Sequence, residues 1–169
     1  MKALVVVDYQ VDFVSGSLGS EDARSIEDAI CERIDDALAD GCRLIFTLDT
    51  HHRDYLDTYE GKNLPVPHCI EGTEGHRLYG KVEQYLGKGI VLEKSSFGCP
   101  ELIGNLRDCD EVELCGVATN ICVLANAVMV RSFYPNIKVS VIRSCCASYD
   151  RDAAEKALAI LPSLQVDVV

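Results

Sequence analysis

"EVELCGVATNICVLANAVMVRSF", residues 111–133, changes its hydrophobic pattern midway. It begins as a short apolar run typical of a buried strand, and from residue 119 apolar residues recur with the spacing of a helix. Cys122 falls where the predicted strand passes into the predicted helix. A side chain at such a junction stands at the edge of a sheet, beside the free backbone N–H groups of a helix start. Cys122 is therefore a candidate nucleophile, and a thiol that only fills the core is the alternative.

The same alternation of strand and helix patterns continues along the whole chain. Strands are predicted at 3–7, 43–48, 89–93, 111–115, 138–143 and 164–169. Helices are predicted between Ser20 as N-cap and Gly41 as stop, and at about 75–86, 99–106, 119–133 and 150–161, the last behind Ser148 and Asp150. Strands that are almost continuously apolar are buried on both faces. The chain is therefore predicted to be one α/β domain over residues 1–169, with a parallel sheet covered by helices on both faces.

The composition limits the classes of partner. The 169 residues carry a formal charge of −11, which repels phosphate backbones and anionic membrane surfaces. No apolar run approaches the roughly 20 residues of a membrane span, and the first ten residues resemble a strand, not a signal peptide. We expect a cytoplasmic protein with no nucleic-acid or membrane partner.

Cysteine is frequent, with nine residues and no C-x-x-C pair. In a cytoplasmic chain most of these thiols are expected to be reduced core residues. The vicinal pair Cys145 and Cys146 leaves a redox role open.

Reactive side chains follow four of the predicted strands. In a parallel sheet the carboxyl ends of the strands share one edge, where ligands bind. The residues expected at this edge are Asp8, Gln10, Asp12 and Phe13 after the first strand, Asp49 and His51 after the second, Lys94 after the third and Cys122 after the fourth. A cation or a helix start lowers the pKa of a thiol, and a carboxylate beside it can accept and return a proton. Lys94 and Asp8 are the candidates for these two roles.

The segment 49–75 interrupts the alternation and contains three of the four histidines. A loop of this length inside a compact domain is usually functional or disordered, and its aromatic and histidine content argues for function. Asp49 and His51 are two residues apart at a strand end and project to the same side. Glu60 and His68 lie where the loop can return to them. Carboxylates with imidazoles suit zinc, manganese or iron; His52 and His76 are assigned to the surface.

Five ordered motifs resemble one family. "VVVDYQVDF", "DTH", "LPVPHCIEGTEG", "EKSSFG" and "CGVATNICV", between residue 3 and about 149, are similar to the isochorismatase-like cysteine hydrolases and, within them, to the nicotinamidases. The resemblance implies a doubly wound α/β fold with a mostly parallel sheet of six strands. It also implies hydrolysis of nicotinamide to nicotinate and ammonia through a cysteine thioester, a reaction of NAD salvage.

The resemblance further assigns roles to individual residues. It implies a catalytic triad of Asp8, Lys94 and Cys122, and an oxyanion hole formed by the N–H groups of Ala118 and Cys122 with a cis peptide before Ala118. One divalent metal ion that holds the pyridine nitrogen is expected on Asp49, His51 and His68, with Glu60 as a fourth ligand in place of a further histidine. Phe13 and Phe97 are expected to enclose a flat ring, with Gln10 as a further substrate contact. We also expect a homo-oligomer.

Other functions stay open at this point. The nearest is a sibling cysteine hydrolase that cleaves another small amide or carbamoyl group without a metal. Isochorismatase activity is disfavoured, because those members lack the thiol that Cys122 provides. A flavodoxin-like binding protein is disfavoured by the absence of G-x-G-x-x-G after the first strand. An inactive scaffold or a redox sensor that uses Cys122 or Cys145 is the remaining alternative.

Overall fold

A computed structural model describes residues 1–169. Its six strands form one sheet in the order β3-β2-β1-β4-β5-β6, and every neighbouring pair is parallel. The strands are β1 Lys2–Val7, β2 Arg43–Asp49, β3 Ile90–Lys94, β4 Glu111–Val117, β5 Lys138–Ala147 and β6 Asp167–Val168. The predicted doubly wound α/β class is confirmed. None of the helices is both long enough and apolar enough to span a membrane.

Seven α-helices connect and cover these strands. They are α1 Val11–Val14, α2 Glu21–Ser25, α3 Glu27–Ala39, α4 Tyr59–Asn63, α5 Pro100–Asn105, α6 Leu124–Phe133 and α7 Arg151–Ile160. Four 3₁₀ segments and a π-helical turn complete the chain, at Tyr55–Asp57, Glu74–His76, Gly80–Lys88, Leu161–Leu164 and Thr119–Val123. The predicted loop 49–75 is thus built from short helical turns.

The sheet separates two hydrophobic cores because successive side chains of a strand point to opposite faces. Leu4 and Val6 of β1 pack on the face covered by Ile30 and Ile34 of α3. Ala3, Val5 and Val7 of the same strand pack on the other face, with apolar residues of α5, α6 and α7. Burial on both faces explains why the inner strands β1 and β2 are almost continuously apolar.

Some predicted boundaries were wrong. The helix between Ser20 and Gly41 is broken at Ile26, although Ser20 does cap its first part by accepting a hydrogen bond from the Ala23 N–H at 3.1 Å. The helix predicted at 75–86 is a pair of 3₁₀ segments, and Gly80, the first residue of the second segment, takes a positive φ of 52°. The last strand is only Asp167–Val168, because residues 161–164 form a 3₁₀ turn.

The neighbouring strands β1 and β4 mark the point where the strand order reverses. Crevices in doubly wound sheets open at this point, beyond the carboxyl ends of the strands. Gly116 of β4 has a φ of 113°, and a Cβ there would lie 2.1 Å from the carbonyl oxygen of Val7. Only glycine lets the two strand ends approach this closely, so the chain leaves β4 directly above the end of β1.

Candidate active site

Four strand ends bring reactive side chains to this crevice. Asp8 follows β1 with a positive φ of 48°, and Asp49 is the last residue of β2. Lys94 is the last residue of β3, and Cys122 lies in the π-helical turn after β4. All four residues are buried. The structure therefore brings together the side chains that the sequence predicts at one edge of the sheet.

Lys94 lies at the centre of this group. Its Nζ is 2.7 Å from Asp8 Oδ2, 3.2 Å from Asp49 Oδ1 and 3.6 Å from Cys122 Sγ. The Nζ also donates to the carbonyl oxygen of Ser96 at 2.8 Å. The ammonium thus joins two carboxylates and the thiol in one buried cluster.

Thr47 completes the surroundings of Asp8, and sequence reasoning missed it. Its hydroxyl donates to Asp8 Oδ1 at 2.6 Å. Asp8 Oδ2 is buried and accepts no well-directed hydrogen bond, its contact with Lys94 being an ion pair. One oxygen of Asp8 is therefore anchored and the other keeps a lone pair for a proton. The only signal for Thr47 is its place in β2, where it pairs with Val7, the residue before Asp8.

The protonation of the cluster differs from the sequence-based expectation for the thiol. Burial raises the pKa of Cys122 well above its usual value, and the negative charge of Asp8 adds to this effect against the opposing charge of Lys94. The expected lowering of this pKa was wrong, because burial and the charge of Asp8 outweigh the charge of Lys94. Burial also raises the pKa of Asp8, with Lys94 opposing it. The pKa of Lys94 is raised: burial opposes this, but Asp8 and Cys122 outweigh it. Cys122 thus rests as a thiol beside a lysinium.

A second group of side chains lies next to Asp49. Its Oδ2 is 3.0 Å from His51 Nε2 and 3.4 Å from His68 Nε2, and Glu60 Oε1 is 3.7 Å from both imidazole nitrogens. One donor atom from each of the four residues lies within 4.8 Å of the others. Glu60 reaches the group from α4, as the sequence predicts.

This donor set fits a divalent metal ion. Two imidazoles and two carboxylates suit zinc, iron or manganese. His68 Nδ1 lies 2.8 Å from the carbonyl oxygen of Val66, the arrangement that fixes the other ring nitrogen of a metal-binding histidine toward the ion. Although burial opposes it, hydrogen bonds from His51 and His68 lower the pKa of Asp49. Burial opposes the raised pKa of His68, and the bond to Asp49 outweighs it. Asp49 is therefore an anionic oxygen donor shared by two imidazoles.

An aromatic pocket joins the two groups. It encloses ≈ 410 Å³, its open mouth included. Phe13, Phe97 and Cys122 line it as predicted, together with Asp49, Glu60, His68 and Ala118. Leu18, Leu64, Ile121 and Tyr149 also line it, and sequence reasoning missed them. Nothing in the local sequence distinguishes these four from ordinary surface or core residues.

Gln10 does not line this pocket, which corrects its assignment as a substrate contact. Its Nε2 donates to the carbonyl oxygens of Asp49 and His76, both at 2.9 Å, and its Oε1 accepts the Asp49 N–H at 2.8 Å. The side-chain amide of Gln10 is fully buried, and these hydrogen bonds join it to main-chain atoms. Gln10 holds the end of β2 in place.

The turn that carries Cys122 offers an N–H group to the pocket. The peptide between Val117 and Ala118 is cis, as the resemblance implies. The N–H of Ala118 donates to no acceptor of the protein, and Ala118 lines the pocket next to Cys122. This free donor is suited to an oxyanion.

Asn126 fixes that turn and was also missed. It is fully buried in α6, and its Nδ2 donates to the carbonyl oxygens of Cys122 at 2.8 Å and Phe97 at 3.1 Å. Its Oδ1 accepts the Cys99 N–H at 2.9 Å. The Asn126 amide thus links the turn that carries Cys122 to the loop that carries Phe97. A buried asparagine on an apolar helix face was the available signal.

The two histidines assigned to the surface have different outcomes. His52 is exposed, as predicted, whereas His76 is half-buried and its Nε2 is 2.8 Å from Thr50 Oγ1, so its assignment to the surface was wrong.

All nine cysteines are free, with Cys145 buried and Cys146 half-buried. Burial raises the pKa of both of these thiols.

Comparison with known proteins shows the family of this chain. The isochorismatase domain model matches residues 2–169. The isochorismatase family protein PncA of Bacillus subtilis is 33% identical over 93% of this chain and 92% of its own length. The nicotinamidase/pyrazinamidase of Mycobacterium tuberculosis is 28% identical over 100% of this chain and 98% of its own.

Solved structures give the same result. The crystal structure of nicotinamidase PncA from Bacillus subtilis superposes with a TM-score of 0.90 at 31% identity, over 99% of this chain and 98% of that chain. The pyrazinamidase of Pyrococcus horikoshii in complex with zinc superposes with a TM-score of 0.87 at 25% identity, with the same coverage. The chain therefore belongs to the isochorismatase family and is an amidohydrolase related to the nicotinamidases.

Proposed function

We propose that the protein hydrolyses nicotinamide to nicotinate and ammonia, with Cys122 as nucleophile and a divalent metal ion on Asp49, His51, Glu60 and His68. One observation carries this proposal. Cys122, which belongs to the cluster with Asp8 and Lys94, lines an aromatic pocket, and Asp49, Glu60 and His68 of the four-donor group line the same pocket. A flat ring that bears an amide and a ring nitrogen can present the amide to Cys122 and the nitrogen to the four-donor group.

The two halves of the site divide the work. Phe13 and Phe97 would contact the faces of the ring and exclude water from it. A divalent ion held by Asp49, His51, Glu60 and His68 would supply a Lewis acid for the ring nitrogen. Cys122 is then left facing the amide carbon.

Acylation requires a base, because the Cys122 thiol has a raised pKa. We infer that Asp8 Oδ2 takes the thiol proton while Sγ forms a bond to the amide carbon. The carbonyl oxygen becomes an oxyanion, which the N–H groups of Ala118 and Cys122 stabilise; one such donor is worth about 3 kcal/mol in other enzymes. The C–N bond then breaks, and Asp8 returns the proton to the departing ammonia. A thioester on Cys122 remains.

Deacylation repeats these proton transfers with water in place of the thiol. Asp8 takes a proton from water while the water oxygen attacks the thioester carbon. The C–S bond breaks, the proton returns to Cys122, and the acid product ionises to nicotinate. Lys94 stays protonated throughout, because its pKa is raised by Asp8 and Cys122 against the opposing effect of burial. Its charge stabilises each anion that forms beside it.

Ammonia release from purified protein tests the proposal. We expect turnover of nicotinamide, loss of turnover in a chelator and recovery with Zn²⁺, Fe²⁺ or Mn²⁺. Benzamide has the same shape without the ring nitrogen and should react far more slowly. Absence of nicotinamide turnover with metal restored would contradict the proposal. Fast, chelator-resistant turnover of benzamide or of a carbamoyl compound would favour the sibling hydrolase.

A further inference from the structure

Asp12 carries a carboxylate that the proposed mechanism does not use. It lies in α1, four residues after Asp8, and is half-buried. Its Oδ2 accepts a hydrogen bond from the N–H of Cys69 at 2.8 Å, 57 residues further along the chain. Its Oδ1 lies 3.4 Å from the N–H of Ser17. Asp12 therefore connects the loop after β1 to the loop that carries the metal-ligand group.

The contact at Cys69 restrains the backbone directly after His68. Cys69 has a φ of 46°, in the left-handed region that a residue other than glycine seldom adopts. The carboxylate of Asp12 accepts the N–H of this unusual residue. Because His68 and Cys69 share a peptide bond, the position of that N–H fixes the backbone from which the His68 imidazole projects.

Gly75, at the other end of the same loop, lies close to the Asp12 carboxylate. A Cβ at Gly75 would lie 2.0 Å from Asp12 Oδ2, so only glycine leaves room for the carboxylate. Asp12 is thus enclosed between Cys69 and Gly75.

Two further contacts join the segments around Asp12 and His68. The Phe13 ring lies 5.3 Å from the His68 ring, centroid to centroid. The Ser17 hydroxyl donates to the carbonyl oxygen of Pro67 at 3.2 Å. Residues 12–17 therefore contact the main chain or the side chain of each residue from 67 to 69.

We propose that Asp12 is a positioning residue for the metal site: its carboxylate fixes the backbone of Cys69 and thereby holds the His68 imidazole toward Asp49 and Glu60. This inference rests on the metal site of the proposed function. Partners of metal ligands outside the coordination sphere commonly change metal affinity by about 10–100-fold. Asp12 acts in this way through the main chain and does not touch the ion.

Zinc affinity, measured on the whole protein by competition with a chromogenic chelator, tests this role without any activity measurement. We expect Asp12→Ala to weaken Zn²⁺ binding about tenfold. Asp12→Asn retains an oxygen that can accept the Cys69 N–H, so its affinity should stay within about threefold of wild type. Gly75→Ala leaves the carboxylate in place but crowds it, and should weaken binding in the same direction.

Glu27 offers a matched control in the same chain. Its Oε1 accepts the N–H of Lys81 at 2.6 Å, 54 residues away, and a Cβ at Gly80 would lie 1.9 Å from it. Glu27→Ala therefore removes the same kind of contact between residues that are not metal ligands or their chain neighbours, and should leave zinc affinity unchanged. Equal zinc affinity of Asp12→Ala and wild type would overturn the inference, as would an equal loss in Glu27→Ala. A wild-type protein that binds no zinc would instead reject the metal site itself.

Discussion

The two halves of the candidate active site are held by different means. Lys94 ends β3 and Asp8 directly follows β1, so the hydrogen-bonded sheet sets their positions, and Cys122 lies in the π-helical turn that follows β4. His51, Glu60 and His68 lie on the loop after β2, which is held by bonds between side chains and backbone, such as that from the Tyr55 hydroxyl to the carbonyl oxygen of Leu64 at 2.9 Å. In the proposed mechanism the strand-borne half, Asp8, Lys94 and Cys122, performs acyl transfer, whereas the loop-borne half, His51, Glu60 and His68, selects the substrate.

Removal of the nucleophile should have the largest effect on the strand-borne half. We expect Cys122→Ala to lower kcat/KM for nicotinamide by more than about 10⁴-fold, because no other group can form the thioester. The measurement is ammonia release under saturating metal. Cys109→Ala is the matched control, since Cys109 is a buried core thiol outside the pocket. If Cys122→Ala kept a tenth of the activity, Cys122 would be a core residue only.

Removal of the central cation tests how strongly this half depends on charge pairing. Lys94→Met leaves Asp8 and Asp49 buried without their counter-ion, which costs about 3–5 kcal/mol of unfolding free energy in other proteins. Lys138→Met breaks an exposed pair with Glu111 and should cost less than about 1 kcal/mol. Chemical denaturation measures both. Similar losses of unfolding free energy in the two variants would show that the buried cluster contributes no more to stability than the exposed ion pair.

Zinc binding should depend on the loop-borne half of the site. His51→Ala removes a predicted ligand and should weaken zinc binding at least about 100-fold, beyond the usual effect of residues outside the coordination sphere. The exposed neighbour His52 provides the control, and His52→Ala should bind zinc like wild type. Metal content of the purified variants gives the answer. Equal zinc in wild type and His51→Ala would reject the site.

The smallest predicted effect concerns the hydroxyl that anchors the base. Burial raises the pKa of Asp8, and the hydrogen bond from Thr47 acts in the opposite direction. Thr47→Val removes that bond, so the pKa of Asp8 should rise further. Since Asp8 must be ionised to accept the thiol proton, the acid limb of the kcat/KM profile should move to higher pH by about 0.5–1 unit.

Thr50→Val is the comparison for this shift. Thr50 is also buried at the end of β2, but its hydroxyl donates to the carbonyl oxygen of Leu48 and not to Asp8. Its acid limb should stay in place. A shift of the Thr47→Val limb to lower pH would contradict the assignment of Asp8 as base.

Sequence reasoning succeeded where a residue's place in an element determines its neighbours. The positions of Asp8, Lys94 and Cys122 after apolar strands were enough to predict that they meet, because parallel strands end at one edge. It failed where a contact depends on a residue distant in the chain. Gln10 looked like a substrate contact after β1, yet its amide binds the main chain of Asp49 and His76, which only the folded loop brings near. Asn126 and Tyr149 were missed for the same reason.

The sequence by itself determined the alternation of strands and helices, the parallel sheet and the set of reactive side chains, since these follow from local hydrophobic periodicity and strand-end position. Only the tertiary structure decided the protonation of Cys122, the hydrogen bonds of Gln10 to main chain and the proposed positioning of His68 by Asp12. Burial and the summed effect of several charges set a pKa, and contacts across more than 50 residues position a ligand; neither is encoded in the spacing of neighbouring residues.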